Sequence, residues 1–374
     1  MKFSITKKDI LNVLSNIQGI TGRKTNLSIT CDVLISALGS SVTLTANDME
    51  TVFVGSYDAQ VEVEGVLSIN SRKFFEIVKE YPDDFIPVNE LDNRWVEIGT
   101  GDSVFHIVSS DYTSFPETPV IEDVSFIQVD AGELKRMISA SSAILYGNDE
   151  KRPYVIGSFM EKIISPDGKN LFRMVSTDSK RLNCFDMEYT GDLDIPEEGI
   201  LVPKKGLSEL GKFIDTEVDS IQLGIKDNHF IFQRAGESIM IKLLEGQFPS
   251  YKPVLDFSSM VAVDMDRTTF MNLLRRISIF TSDDYKTVML HFRQNELLVT
   301  ITNPDLGESK ERMMIPYEGE EVIGAYNPKY FRDALNLFDK DMVQLYIKDD
   351  RSPCLIRHPE DGSLICLVMA ISIS

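Results

Sequence analysis

The feature that most constrains this chain is a pattern that recurs three times, because a repeat of fixed length sets an architecture before any single motif does. Each copy opens with an amphipathic helix, Lys8–Ile17, Gly132–Ala140 and Thr269–Ile277, with apolar residues at three- and four-residue spacing. Alternating strands follow, then a second helix introduced by a short polar or Pro-bearing turn at Ile69–Phe75, Val202–Leu207 and Tyr326–Phe331. Lys73, Lys205 and Lys329 take matching places in those turns. Further strands come after, among them Trp95–Ile98, Ile221–Gly224 and Val343–Ile347, and the first two copies close on Phe115-Pro116 and Phe248-Pro249.

Three copies in 374 residues leave each the size of an ordinary domain. The reading is therefore α+β: three similar domains over 1–124, 125–256 and 257–374, each with two helices packed on antiparallel sheets of about eight strands. Like units joined head to tail turn by the same angle at each joint and close into a ring if that angle divides a full turn. The repeated helices and their introducing turns carry Lys7, Lys8, Arg72, Lys73, Lys135, Arg136, Lys204, Lys205, Arg275, Arg276 and Lys329. Recurrence at one place in three copies favours a shared basic surface over separately solvated helix faces.

Composition narrows the function. Lys and Arg number 38 against 58 Asp and Glu, a net charge of -20, which excludes a uniformly basic nucleic-acid coat but leaves room for a local basic strip. The longest apolar run, Leu364–Ile371, falls far short of the roughly 20 residues a membrane span needs and reads as a buried strand. Met1–Asp9 has no apolar core or cleavage site of a signal peptide, so a cytoplasmic protein with no membrane partner is expected. The cysteines Cys31, Cys184, Cys354 and Cys366 form no C-x-x-C pair and read as small buried apolar residues, not as a zinc or disulfide framework. His106, His229, His291 and His358 are dispersed, and no P-loop, dinucleotide fingerprint or G-x-S-x-G elbow is present. Catalysis, metal and cofactor are therefore not expected. The D-x-D pairs Asp192/Asp194 and Asp264/Asp266 read as solvated acids in loops.

Five segments in order carry a resemblance. Met1-Lys2-Phe3, Arg72–Ile77, Ser176–Leu182, Val202–Gly206 and Glu245–Tyr251 together look like the bacterial DNA polymerase III beta subunit, the sliding clamp, and the likeness runs the length of the chain. It implies a head-to-tail homodimer of six like domains forming a closed ring around double-stranded DNA, with helices lining the channel and sheets outside. Such a ring tethers the polymerase without catalysing anything: it cannot leave duplex DNA sideways, so weak phosphate contacts suffice and permit sliding.

By resemblance, Lys24, Arg72, Lys73, Arg152, Tyr154, Lys204 and Lys205 would touch DNA at the channel and its rim. Arg136 and Lys329 join them on the repeat argument. The family also implies a pocket for a short apolar peptide motif of the polymerase III alpha subunit, the clamp loader and repair proteins. Its matching positions are Val155, Thr177, Ser179, Lys180, Arg181, Leu182, Pro249, Val254, Leu367, Val368 and Met369. The dimer contact would join Ile279 and Phe280 to Phe105 and Ile107, the latter two on an alternating segment suited to an edge strand. Three positions depart from the family pattern: Lys180 in place of His, Pro253 where a basic residue is frequent, and Met369-Ala370-Ile371-Ser372 at the C-terminus. An altered-pocket paralogue of the clamp and a repeat scaffold that does not bind DNA are the alternatives.

Overall fold

Each repeat begins where a side-chain oxygen ends a strand and starts a helix. Thr6 accepts from the Asp9 amide at 3.3 Å, Asp130 from Glu133 at 2.7 Å and Asp266 from Thr269 at 2.7 Å. The helices that follow are α1 (Lys7–Thr21), α3 (Ala131–Ser142) and α6 (Arg267–Ile277). Asp266, read from sequence as a solvated acid, is thus an N-cap, satisfying an amide donor the helix leaves unpaired. Burial follows helical spacing: Ile10, Val13, Leu14 and Ile17 face inward in α1, and Phe270, Leu273, Leu274 and Ile277 in α6. The second helices are α2 (Ser71–Glu80), α5 (Lys204–Ile214) and α7 (Pro328–Leu335), with Asn70 and Asn327 capping α2 and α7. A short α4 (Pro153–Ile156), not foreseen from the repeat, starts on a proline, a residue type common at a first helical position.

This computed structural model describes residues 1–22, 28–144, 152–214 and 219–372. The first repeat supplies β1 (Lys2–Thr6), β2 (Asp32–Leu38), β3 (Ser41–Asn47), β4 (Thr51–Val63), β5 (Gly65–Asn70), β6 (Phe85–Glu90), β7 (Trp95–Thr100) and β8 (Ser103–Val108). The second supplies β9 (Phe126–Asp130), β10 (Gly157–Ile164), β11 (Asn170–Thr177), β12 (Arg181–Glu188), β13 (Ile200–Pro203), β14 (Ser220–Lys226), β15 (His229–Arg234) and β16 (Glu237–Lys242). The third supplies β17 (Val261–Asp266), β18 (Val288–Arg293), β19 (Glu296–Asn303), β20 (Gly307–Met314), β21 (Val322–Tyr326), β22 (Met342–Ile347), β23 (Cys354–Arg357) and β24 (Leu364–Val368). Eight strands per repeat match the sequence expectation, and the apolar run at the C-terminus is β24.

Two quartets form in each repeat. In the third, one runs β20-β19-β18-β21 and the other joins β17, β22, β23 and β24; the first repeat has β2 to β5 and β1, β6, β7, β8 in the same arrangement. Quartets continue across repeats. In one compact unit, Met1–Lys135 with Tyr189–Pro196 and Val202–Leu244, a twelve-stranded sheet runs on from β4 into β16, β15, β14 and β9. In the other, Arg136–Glu188 with Glu197–Leu201 and Glu245–Ser374, β12 pairs with β24 inside an eight-stranded sheet, and a separate four-stranded sheet ends on β20. The second repeat is therefore divided between units, because each of its quartets hydrogen-bonds to a different neighbour. Cys184, Cys354 and Cys366 are buried and Cys31 half-buried, all as free thiols.

Candidate functional site

The cavity that carries chemistry is built around the β11–β12 hairpin. Its turn is held by Asp178, whose Oδ1 accepts from the amides of Lys180 at 2.9 Å and Arg181 at 3.0 Å. This local bonding lets Ser179 take a left-handed backbone, φ 71°. The Thr177 hydroxyl donates to the Arg181 carbonyl at 2.8 Å and accepts from the Ser179 amide at 3.1 Å. Across the sheet Leu182 stands opposite Leu367, and the Met369 amide donates to the Lys180 carbonyl at 2.9 Å, which brings the C-terminal segment alongside the turn.

These pieces enclose a cavity of about 150 Å³ lined by Thr177, Ser179, Arg181, Leu182, Phe248, Pro249, Ser250, Tyr251, Val254, Leu367 and Met369. Eight of the eleven residues expected at a peptide pocket lie in this lining. Val155 is buried elsewhere, Val368 lines a small neighbouring cleft with Tyr330 and Asp333, and Lys180 contributes only its backbone at the turn. Phe248, Ser250 and Tyr251 also line the wall, although the sequence reading did not assign them to the pocket. The Phe-Pro-Ser-Tyr run they belong to was the available signal.

The wall is stiff. Phe248 stacks on Phe159 at 5.0 Å and 15°, and the Tyr251 ring meets both edge-on. Below, the Tyr251 hydroxyl donates to buried Glu161, which also takes Lys252 at 3.1 Å. Burial, reinforced by that carboxylate, pushes the Tyr251 hydroxyl well above its ordinary value, so it stays a neutral donor. Beside it Arg173 and Asp186 form a two-pronged pair at 2.6 Å. Arg181, expected at the pocket, is only 4% exposed; its guanidinium pairs with Asp178 at 3.0 Å and Asp333 at 2.7 Å and lies over the Tyr330 ring. Burial works against its charge, but the two carboxylates more than offset it and hold the arginine ionised. Its role is to brace the turn. Such an apolar cleft with a few fixed polar groups can take the side chains of a short extended peptide.

The basic residues divide. Counted from each helix start, Arg72, Lys205 and Lys329 are equivalent second residues, which corrects the match of Lys73 with the latter two. Arg72 and Lys73 are exposed on the first turn of α2 and share Glu76, at 3.2 and 2.8 Å. Lys205 is not on an open surface: its side chain is 12% exposed and bonded to Asp48, with Glu50 at 3.3 Å. Two carboxylates on the β3–β4 turn draw it in. Arg136 reaches Asp361 at 3.5 Å and lies over the Phe185 ring, Lys329 and Arg152 are exposed, and Lys204 is half-buried. Tyr154 meets Phe248 edge-on at 6.4 Å, behind the cavity wall. Lys24 lies outside the described residues.

At the sheet margins, among the described residues, β8 pairs only with β7 and β20 only with β19. Phe105 is exposed and Ile107 half-buried on β8; Ile279 is 71% exposed beyond α6, and Phe280 sits beside Gly307 at the start of β20. Among the described residues no group of His, Cys, Asp or Glu could hold a metal ion, and no helix is long and apolar enough to cross a membrane.

One unit repeated three times, with sheets carried from repeat to repeat, defines the class of DNA clamp folds. Family comparison agrees over nearly the whole chain: residues 1–119 match the N-terminal domain of the DNA polymerase III beta subunit, 128–250 its central domain and 256–372 its C-terminal domain. The chain belongs to this family, the bacterial beta sliding clamps. The beta sliding clamp of Chlamydia pneumoniae is 27% identical over 371 residues, covering 99% of both chains. That of Vibrio cholerae is 25% identical, covering 99% of this chain and all of its own. The crystal structure of the DNA polymerase sliding clamp from Caulobacter crescentus superposes with a TM-score of 0.93 at 23% identity, covering 100% of each chain.

Proposed function

We propose that this chain is a processivity clamp: two copies close head to tail around duplex DNA, in the cytoplasm, and hold the replicative polymerase and other DNA-processing proteins there without catalysing a reaction. The observation that carries this reading is the pair of open strand edges. Sheets run on from repeat to repeat at two places inside the chain, and among the described residues the equivalent strands β20 and β8 have no neighbour on their outer edge. A second copy offers each its complement, so that every joint between repeats is made by the same kind of strand pair. On this reading the three domains span 1–124, 125–256 and 257–374, and Phe105, Ile107, Ile279 and Phe280 meet at the joints.

The 150 Å³ cavity is then the dock for an apolar peptide motif of the polymerase III alpha subunit, the loader or repair proteins. Arg72, Lys73, Arg136, Arg152, Lys204 and Lys329 serve as weak phosphate contacts, with Lys24 and Tyr154 implied by the family alone. A net charge of -20 disfavours DNA on the outside of the ring. The test is retention on a nicked circular plasmid after loading, before and after a single cut. Release on linearisation is expected; equal retention on both forms would overturn the reading.

A further inference from the structure

Two joints inside the chain are built alike and predict the register of a third. At the first, β4 pairs with β16, placing Val52 opposite Met240 and Phe53 opposite Ile239. At the second, β12 pairs with β24, placing Leu182 opposite Leu367 and Asn183 opposite Cys366. Ladder positions can be followed through all three repeats. Val52, Leu182 and Glu308 stand opposite Asn47, Thr177 and Thr302 on the preceding strand. Met240, Leu367 and His106 stand opposite Ile231, Leu355 and Glu97. Glu308 is thus the counterpart of Val52 and Leu182, and His106 that of Met240 and Leu367.

We infer that β8 of one copy pairs antiparallel with β20 of another with His106 opposite Glu308, Phe105 opposite Ser309 and Ile107 opposite Gly307. This rests on the ring reading above and adds its register and its polar lock. The faces agree. Phe105 and Ile107 stand opposite Ile98 and Val96, which are fully buried, so they point to the core side, as Ile239 and Ile241 do at the first joint. His106 points the other way, its Nε2 3.3 Å from Glu97 and its ring edge-on to Trp95.

The chemistry differs from the internal joints for a visible reason. There the outward pair is apolar and covered: Val52 and Met240 by Ile121, Val124 and Phe126, Leu182 and Leu367 by Phe248, Tyr251 and Leu255. On β8 the same face is open, with His106, Val104 and Val108 all exposed. An uncovered pair gains little from burial, so specificity falls to polar groups. His106 then lies between Glu97 of its own chain and Glu308 of the second copy, with Lys310 on the diagonal and Asn89 beyond Glu97 on β6.

The test is the monomer–dimer Kd of the full chain by sedimentation equilibrium. His106→Glu places three carboxylates in a row and is expected to raise Kd about tenfold for each of the two joints in a ring. Adding Glu308→Lys is expected to restore Kd to near the parent value, a rescue that damage within one monomer cannot receive from a residue on β20. Tightening by His106→Glu would put Lys310 opposite it, a slip of two residues, and would overturn the register, as would failure of the rescue. A parent chain that stays monomeric at all concentrations would instead refute the ring reading itself.

Discussion

At the scale of single residues, small polar groups decide where elements begin. Asp266 is the clearest case: the side-chain and backbone bonds of Thr269 hold its carboxyl below the ordinary carboxylate range. A depressed folded value means the stabilisation is complete above the unfolded value and is lost as pH falls through the folded one. Asp266→Ala is expected to cost about 1 kcal/mol at neutral pH. Asp266→Asn keeps an accepting oxygen that does not titrate, so its melting temperature should lose less than the parent's between pH 7 and pH 3. Sequence reading took this aspartate for a solvated acid because a D-x-D pair in a loop and an N-cap look alike until the amide it accepts is in place. Lys205 was misread for the converse reason. Its positive charge is plain in the sequence, but the two carboxylates that claim it come from a turn more than 150 residues away.

At the scale of elements, the periodicities held well: all six repeated helices and eight strands per repeat were legible, since helical and strand spacing are local properties. What periodicity could not tell is which strands stay open. Phe280, half-buried beside Gly307 near the β20 edge, belongs to that question. Phe280→Asp removes apolar burial and would leave a charge unpaired in the joint. Dimer dissociation is expected in sedimentation, and a variant that stays dimeric at parental strength would remove Phe280 from the joint. The cavity makes an independent element-scale prediction. Met369→Ala strips an exposed apolar side chain from the lining and is expected to weaken binding of a fluorescent apolar-motif peptide about tenfold while the dimer stays intact. Unchanged titration would place peptide docking elsewhere.

For the whole molecule, retention on DNA should follow topology more than charge. Phosphate contacts weaken steeply with salt, whereas a closed ring on a closed circle does not depend on them. Once loaded, the protein is expected to survive a wash at high salt on the circle and to leave after the cut, and loss from the intact circle in that wash would count against linkage. The sequence by itself determined the threefold repeat, the α+β class, the helices and the family, because each is written in local spacing and short motifs. Only the tertiary structure decided that the second repeat lends one quartet of strands to each neighbour, that Arg181 braces a turn, that Phe248 and Tyr251 form a cavity wall, and that β8 and β20 are left open. Those outcomes depend on which distant strands find each other's backbone donors and acceptors, and every peptide unit except that of proline offers the same ones, so residue order alone does not distinguish the partners.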